Sequence, residues 1–318
     1  MSWLKATRPP VGLIDEKLMA LFAGAGSVIL GKSQQLQLAL CALLADGHVL
    51  IEDVPGVGKT TLVKTLAALL GLNPTRIQFT NDLLPADILG ISIFDQQVHR
   101  FIFYPGPIFG QMVIADELNR ATAKTQSALL QAMEERHVTV DGITHELPKP
   151  FFVVATQNPK EQMGTYPLPE SQLDRFLMRI DLGYPDRLAE AELLKGERRS
   201  SLLEKLKPVA NIEDLKRWQE LAAAVHVSEP LIRYLQDLIQ YTRSQPQQMQ
   251  GLSPRAGLAW LRAARAWAFL QGRNMVLPED IQAVGVAIMS HRLGLSREVG
   301  TLAGDQLAKQ VISNVAVE

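Results

Sequence analysis

The densest chemistry in the chain lies in a run of consecutive residues, Asp53-Val54-Pro55-Gly56-Val57-Gly58-Lys59-Thr60. Glycines at 56 and 58 let the backbone turn its N–H groups inward around phosphate oxygens, and a helix opening at this point adds its positive end. Lys59 then reaches the β- and γ-phosphates of a nucleotide, and the Thr60 hydroxyl ligates magnesium. The common pattern starts with Gly where this chain has Asp53, which weakens the bare match without removing any residue of the cradle. A glycine-rich strand-to-helix turn with no ligand is the alternative.

Two more strand ends bear on that choice. Met112 to Ala115 reads as a buried strand running into Asp116 and Glu117. Taken alone, an acidic pair there is open to reading as a helix cap. Downstream of a phosphate loop it becomes a magnesium-binding Asp followed by a water-activating Glu, the two roles that hydrolysis needs. Phe151 to Thr156 runs out at Gln157-Asn158-Pro159, where an amide can orient the attacking water without carrying charge. A turn Asn before Pro is the plainer alternative.

Positioning these ends takes a parallel sheet. From Val49 to about Asp181, short β-rich runs alternate with longer helical patterns, which predicts strands joined by crossover helices. The predicted strands are Val49 to Ile51, Arg76 to Phe79, Met112 to Ala115, Phe151 to Thr156 and Met178 to Asp181, most of them continuous apolar runs as strands covered on both faces should be. The phosphate loop opens the helix of Leu62, Leu66, Leu69 and Leu70. Gly183-Tyr184-Pro185-Asp186 breaks the pattern, and only helical signals follow: Asn211 ahead of Leu215, Ser228 with Pro230, Ser253-Pro254, and Pro278. The fold class is therefore α/β, with an α/β nucleotide-binding domain over residues 1–184 and a C-terminal all-helical lid over 185–318. Two insertions, at about 84–109 and 138–146, are expected to project as hairpins, the second around an Asp141-Gly142 turn. Phe101, Phe103 and Tyr104 in the first are open to two readings, partner contact or ordinary core packing.

The chain has 318 residues, 47% hydrophobic and 20% charged, the balance of a folded protein rather than a disordered one. With 32 basic and 33 acidic side chains there is no bulk basic field for nucleic acid or an anionic membrane. Cys41, the single cysteine, sits in an apolar helical run and is expected to be a buried core thiol. The absence of disulfides suits a reducing compartment, Met1 to Pro10 lacks a signal-peptide apolar stretch, and Leu36 to Ile51 falls short of a membrane span. The expected localisation is cytoplasmic.

Taken together, these motifs resemble those of the MoxR family of AAA+ ATPases along nearly the whole chain. The resemblance is carried by Glu52 to Thr60, Ala115 to Ala121, Ala155 to Pro159, Leu168 to Phe176 and Leu252 to Ala256. It implies an AAA+ phosphate-loop domain with a helical lid, with ATP and Mg2+ as cofactors and hydrolysis to ADP and phosphate as the reaction. Pro55, Gly56, Val57, Gly58, Lys59, Thr60 and Thr61 would then line the nucleotide, and Thr60 and Asp116 would hold the metal. Glu117 would activate water and Asn158 would be the polar sensor. Arg175 would be a finger offered to a neighbouring subunit, Arg255 a second sensor on the lid, and Gly31 part of the adenine-lining segment. From the residues alone, both arginines are equally surface ion-pair formers, although a cation in the first turn after Ser253-Pro254 is disfavoured by the helix dipole. The resemblance further implies a homo-oligomeric ring, with six subunits expected, that remodels or matures a client protein, with metal or cofactor insertion as one form of this. Such rings often work beside a protein with a von Willebrand factor A domain.

Competing classes share the phosphate loop. A nucleic-acid translocase is the first, and the near-neutral charge and lack of a basic run in the Val138 to Thr144 turn count against it. A small-molecule kinase is the second, and it has no use for an arginine after Leu173-Asp174.

Overall fold

The computed structural model describes residues 15–54, 56–158, 164–195, 199–294 and 301–317, with the backbone alone at 199–200 and 301–303. Pro55 and Pro159 lie outside the described residues. The strands are β1 (Val49–Glu52), β2 (Pro74–Gln78), β3 (Gly90–Asp95), β4 (Arg100–Pro105), β5 (Met112–Asp116), β6 (His137–Val140), β7 (Ile143–Glu146), β8 (Phe152–Gln157) and β9 (Met178–Ile180). Five of them form one sheet in the order β2-β5-β8-β1-β9, with every neighbouring pair parallel. In β5 and β8, Val113, Ile114, Val153 and Val154 are buried, which is what a strand covered on both faces requires. β2 begins at Pro74, two residues before the expected start. Proline is tolerated there because it opens an edge strand.

Helices α1 (Glu16–Val28), α2 (Ser33–Leu44) and α3 (Lys59–Leu69) pack with one face of the sheet, and α4 (Pro85–Leu89), α5 (Ala123–Glu135) and α6 (Glu170–Leu173) belong to the crossovers and loops around it. After β9 come α7 (Arg187–Lys195), α8 (Arg199–Lys205), α9 (Ile212–Ala223), α10 (Glu229–Arg243), α11 (Pro254–Leu270), α12 (Pro278–Met289) and α13 (Thr301–Asn314). Their starts follow the local chemistry. Asn211 accepts from the Asp214 N–H at 3.0 Å while Asp214 accepts from the Asn211 N–H at 3.1 Å, and Ser253 accepts from the Ala256 N–H at 3.0 Å. One apolar cluster runs without a break from α1–α3 and one sheet face into α9–α13, and includes the fully buried Trp218 and Trp260. Cys41 lies inside it, its thiol donating to the Ala263 carbonyl at 3.2 Å, and burial pushes its pKa far up, as a core thiol's should be. The opposite sheet face packs with α5 in a second cluster.

Both insertions are two-stranded antiparallel hairpins, β3–β4 and β6–β7. Asp141 and Gly142 at the tip of the second have φ of 50° and 78°, the left-handed pair that a tight hairpin turn demands. The hairpins meet where Phe103 stacks on His145 at 3.9 Å. Phe101, by contrast, is 69% exposed and Tyr104 is 50% exposed, so packing against His145 and Phe109 accounts for Phe103, but no such packing accounts for these two. Among the described residues, no helix is long and apolar enough to cross a membrane.

Candidate nucleotide site

The parallel sheet brings the C-terminal ends of β1, β5 and β8 side by side, with Glu52 opposite Gln157 and Ala115 opposite Ala155. Whatever follows these strands must therefore share one edge. After β1 comes the glycine loop. Gly56 has φ of 86° and Gly58 has φ of 99°, and no atom lies within 4 Å of where a Cβ would sit at either. The glycines are needed for the left-handed backbone, and the space above them is open to a ligand. Gly58 is also the N-cap of α3, which puts Lys59, Thr60 and Thr61 in its first turn. The Lys59 ammonium donates to the Asp53 carbonyl at 2.6 Å. Val57 is half-buried and packs against the main apolar cluster, fixing the loop from below.

Asp53, the departure from the usual first glycine, is 7% exposed and has a task of its own. One carboxylate oxygen accepts from the Val54 N–H at 2.7 Å and the other from the Gly183 N–H at 2.6 Å. Gly183 also donates to Asp181 at 2.9 Å. Burial raises the Asp181 pKa, and the hydrogen bond and charge of the adjacent Asp53 carboxyl raise it further. The side chain thus ties the start of the phosphate loop to the segment leaving β9. A row of paired groups continues from here. Glu52 accepts from Gln157 and, at 3.0 Å, from the buried Arg179 of β9, which also pairs with Asp305 on α13.

At the end of β5, the Thr156 hydroxyl donates to Asp116 at 2.6 Å and accepts from the Glu117 N–H at 3.0 Å. Arg76 holds the other Asp116 oxygen through two nitrogens, at 2.6 and 3.1 Å. Burial by itself would raise the Asp116 pKa, but the hydrogen bonds from Thr156 and Arg76, with the charges of Arg76 and Lys59, outweigh it and hold this carboxyl below its ordinary value. Glu117 sits in the left-handed region with φ of 56°, and its carboxylate is held by Gln78 at 2.8 Å and Arg120 at 3.1 Å. Asn158, 7% exposed, follows directly on β8, beside the Asp53 N–H that donates to Gln157 at 3.2 Å.

Arg76, Gln78 and Thr156 are site residues that sequence reasoning passed over. The available signal was spacing. Arg76 and Gln78 lie two apart on β2, hence on one face, with Gln78 in register with Asp116.

Lys59, Asp116, Glu117 and Asn158 converge at this edge, whereas Arg175 and Arg255 lie at the other. The backbone from Arg175 leads through Leu177, whose N–H donates to His48 at 2.8 Å, into the N-terminal end of β9, where Met178 pairs with Val49. The length of β1 separates the two edges by about 13 Å, at roughly 3.3 Å per residue. Arg175 and Arg255 meet on one carboxylate, that of Glu134, at 3.1 and 2.6 Å. Gly31 has φ of 68°, and a Cβ there would approach Ala189 of α7 to 2.9 Å, so its neighbours give it a packing reason independent of any ligand.

Comparison with known proteins bears on this arrangement. Residues 48–178 match the model of the ATPase family associated with various cellular activities (AAA), and residues 240–309 match the AAA lid domain. An uncharacterised protein of Bacillus subtilis is 46% identical over 91% of each chain. Chaperone MoxR1 of Mycobacterium tuberculosis is 41% identical over 90% of this chain and 77% of its own, and Protein MoxR of Paracoccus denitrificans is 33% identical over 86% and 87%. The crystal structure of a candidate ATPase from Cytophaga hutchinsonii superposes with a TM-score of 0.85 at 37% identity, covering 95% of both chains. The AAA and AAA lid matches, with 41% and 33% identity over most of the chain to proteins named MoxR1 and MoxR, place the chain in the MoxR family of AAA+ ATPases.

Proposed function

We propose that the protein binds ATP with Mg2+, hydrolyses it to ADP and phosphate in a homo-oligomeric ring, and uses the cycle to remodel a client protein in the cytoplasm. The observation that carries this reading is the division of the charged groups between opposite edges of one sheet. On this reading the loop, Asp116, Glu117 and Asn158 form one half of a hydrolytic site, and the position of Arg175 and Arg255 at the opposite edge supports their action on another chain's nucleotide. Six subunits is the number that the family resemblance implies. The exposed hairpins β3–β4 and β6–β7 are the surfaces proposed to engage the client or a von Willebrand factor A domain partner.

The residues present suit the nucleotide and the metal. The cradle is open, Asp116 is kept ionised, and Thr60 stands in the first turn of α3. Bound magnesium supplies neutralisation of phosphate charge. Lys59 contributes a cation at the terminal phosphates once it leaves the Asp53 carbonyl, and Thr60 and Asp116 contribute the oxygens that would hold the metal. Glu117 takes the proton of the attacking water when Gln78 and Arg120 release it, and the Asn158 amide orients that water. Arg76 keeps Asp116 and Gln78 in place.

Isothermal titration with ATP, beside a phosphate-release assay, tests this division. Lys59→Ala is expected to abolish binding, and Glu117→Gln to bind ATP without turning it over. Equal loss of affinity in both would refute the assignment. A client protein retained by a Glu117→Gln bait only when ATP is present would identify the remodelled partner.

A further inference from the structure

Glu134, in the last turn of α5, has a carboxylate that serves two guanidinium groups from separate parts of the chain. Oε2 takes Arg175, in the loop after α6, and Oε1 takes Arg255, in the first turn of α11. A second contact locks the same two segments. Asp174, next to Arg175, accepts from the Ser253 hydroxyl at 3.4 Å and from Arg292 at 2.7 Å, and Arg292 also donates to the carbonyl of Phe176 at 2.6 Å. Neither arginine can therefore be placed independently of the other. A guanidinium offers five N–H donors in a fixed fork, and each of these gives one nitrogen to Glu134. Two adjacent oxygens of one carboxylate hold the arginines about as far apart as two oxygens of one phosphate group would need them. The cluster carries two positive charges against one negative charge, so it is left with attraction for a further anion.

The geometry points to Glu134 as a positioning residue that gathers Arg175 and Arg255 into a single two-armed receptor for the terminal phosphate held by the neighbouring copy of this chain. This rests on the shared-site reading above and adds to it the residue that builds the donated half. Glu134 does not touch the nucleotide. It fixes where two long side chains stand before the phosphate arrives, and so removes the cost of ordering them in the transition state.

Glu134→Ala is expected to lower kcat by about 10²-fold, the scale of a misplaced catalytic group, with KM for ATP unchanged. Glu134→Gln, which keeps the shape and one acceptor oxygen, is expected to fall between this and the native enzyme, and it serves if the alanine variant does not fold. Turnover by mixed subunits then places the residue. Mixing Glu134→Ala with Glu117→Gln sets an intact Glu117 in one chain against an intact Arg175–Glu134–Arg255 group in the next, and is expected to restore turnover. Glu134→Ala mixed with Arg175→Ala leaves every interface with a broken receptor, and is expected to stay silent. In an Arg175→Ala/Arg255→Ala background, Glu134→Ala should cost nothing more. Native turnover in both Glu134 variants, or restoration by Arg175→Ala instead of Glu117→Gln, overturns the assignment. If Arg175→Ala itself is not restored by Glu117→Gln, the shared-site reading falls, and that result is distinguishable from a failure confined to Glu134.

Discussion

At the C-terminal edge of the sheet, Lys59, Asp116, Glu117 and Asn158 owe their places to strand ends and to backbone conformations set within a few residues. At the N-terminal edge, Arg175, Glu134 and Arg255 meet only because α11 reaches the end of α5 across 121 positions of sequence. The first arrangement is preorganised by backbone geometry and by the register of the sheet: glycines in the left-handed region, a helix opening at Lys59, and Thr156 of the neighbouring strand bridging Asp116 and the Glu117 N–H. The second depends on tertiary packing and on ion pairs that are partly exposed, Arg255 by 56%. If the proposed site is split this way, one half comes ready-made in any folded copy and the geometry of the other is set by the lid.

The sharpest way to break the comparison is at Arg175. Arg175→Ala should leave ATP affinity at the native value, since the cradle lies at the other edge, and should lose on the order of 10³-fold in turnover, the usual scale for an arginine supplied in trans. Paired titration and single-turnover measurements decide the point. A variant that loses affinity along with rate would put Arg175 in contact with its own chain's nucleotide, and the separation of edges would cease to describe function.

A smaller effect is expected on the opposite edge at Asp53. Its carboxylate holds the N–H groups of Val54 and Gly183, one contact within the loop and one to the segment that leaves β9. Charge-assisted hydrogen bonds of this kind contribute about 1.5–3 kcal/mol. Asp53→Ala should therefore weaken ATP binding by roughly ten-fold or more, with turnover at saturating ATP nearly preserved. A kcat defect with unchanged affinity would show that the tie acts on the chemical step instead.

These two sites also mark what the sequence makes visible. The phosphate loop, the acidic strand end and Asn158 are legible because a contiguous run dictates its own backbone and because strands buried on both faces announce themselves as Val- and Ile-rich stretches. Asp53 looks like a flaw in the motif when only the loop is considered. Its partner Gly183 is 130 positions away, and no local pattern connects them. Glu134 is harder still, for in Gln131-Ala132-Met133-Glu134-Glu135 it reads as one solvated acid at a helix end, and only the docking of α11 gives it two arginines. The expected boundary after β9 rests on the switch from strands to helices, and the sequence does not disclose that α2 and α11 share one apolar cluster, because long-range packing leaves no periodic trace. The second hairpin was legible from the Asp141-Gly142 turn. Which aromatic faces water was not, since Phe101 and Phe103 share one face of β4 and differ in the His145 and Phe109 rings that cover Phe103.

The smallest expected effect is one of pH, and it is sought at the N-terminal edge. His48 precedes β1 and is 4% exposed. Its Nδ1 accepts from the Val153 N–H at 3.0 Å, which leaves Nε2–H to donate to the Met133 carbonyl at 3.2 Å. The ring therefore fastens β8 to the residue beside Glu134, and it does so only as the neutral tautomer, because a proton on Nδ1 would confront the Val153 N–H. Burial above all, then the positive charge of Arg136, pushes its pKa down from 6.5 to about 3, with Arg262 acting in the same direction and the Met133 hydrogen bond opposing. Above pH 6.5 the imidazole is neutral whether the chain is folded or unfolded, and it contributes no pH dependence. Below that, the unfolded chain takes up a proton that the folded chain refuses, so stability is lost progressively as pH falls toward 3. By pH 5.5 this amounts to roughly 1–2 kcal/mol. His291, whose pKa burial also lowers and which contacts the Phe176 carbonyl at 3.1 Å, adds a loss of the same sign at the same edge. Urea unfolding followed by tryptophan fluorescence at pH 7.5 and 5.5 measures the slope, and His48→Gln should flatten part of it at the expense of stability at neutral pH. Amide exchange locates the weakness. Protection is expected to fall first at the end of α5 and the start of β8, while α3 behind the phosphate loop holds. An acid loss that is unchanged in His48→Gln, or that begins in α3, would mean that the two edges do not differ in the way their packing implies.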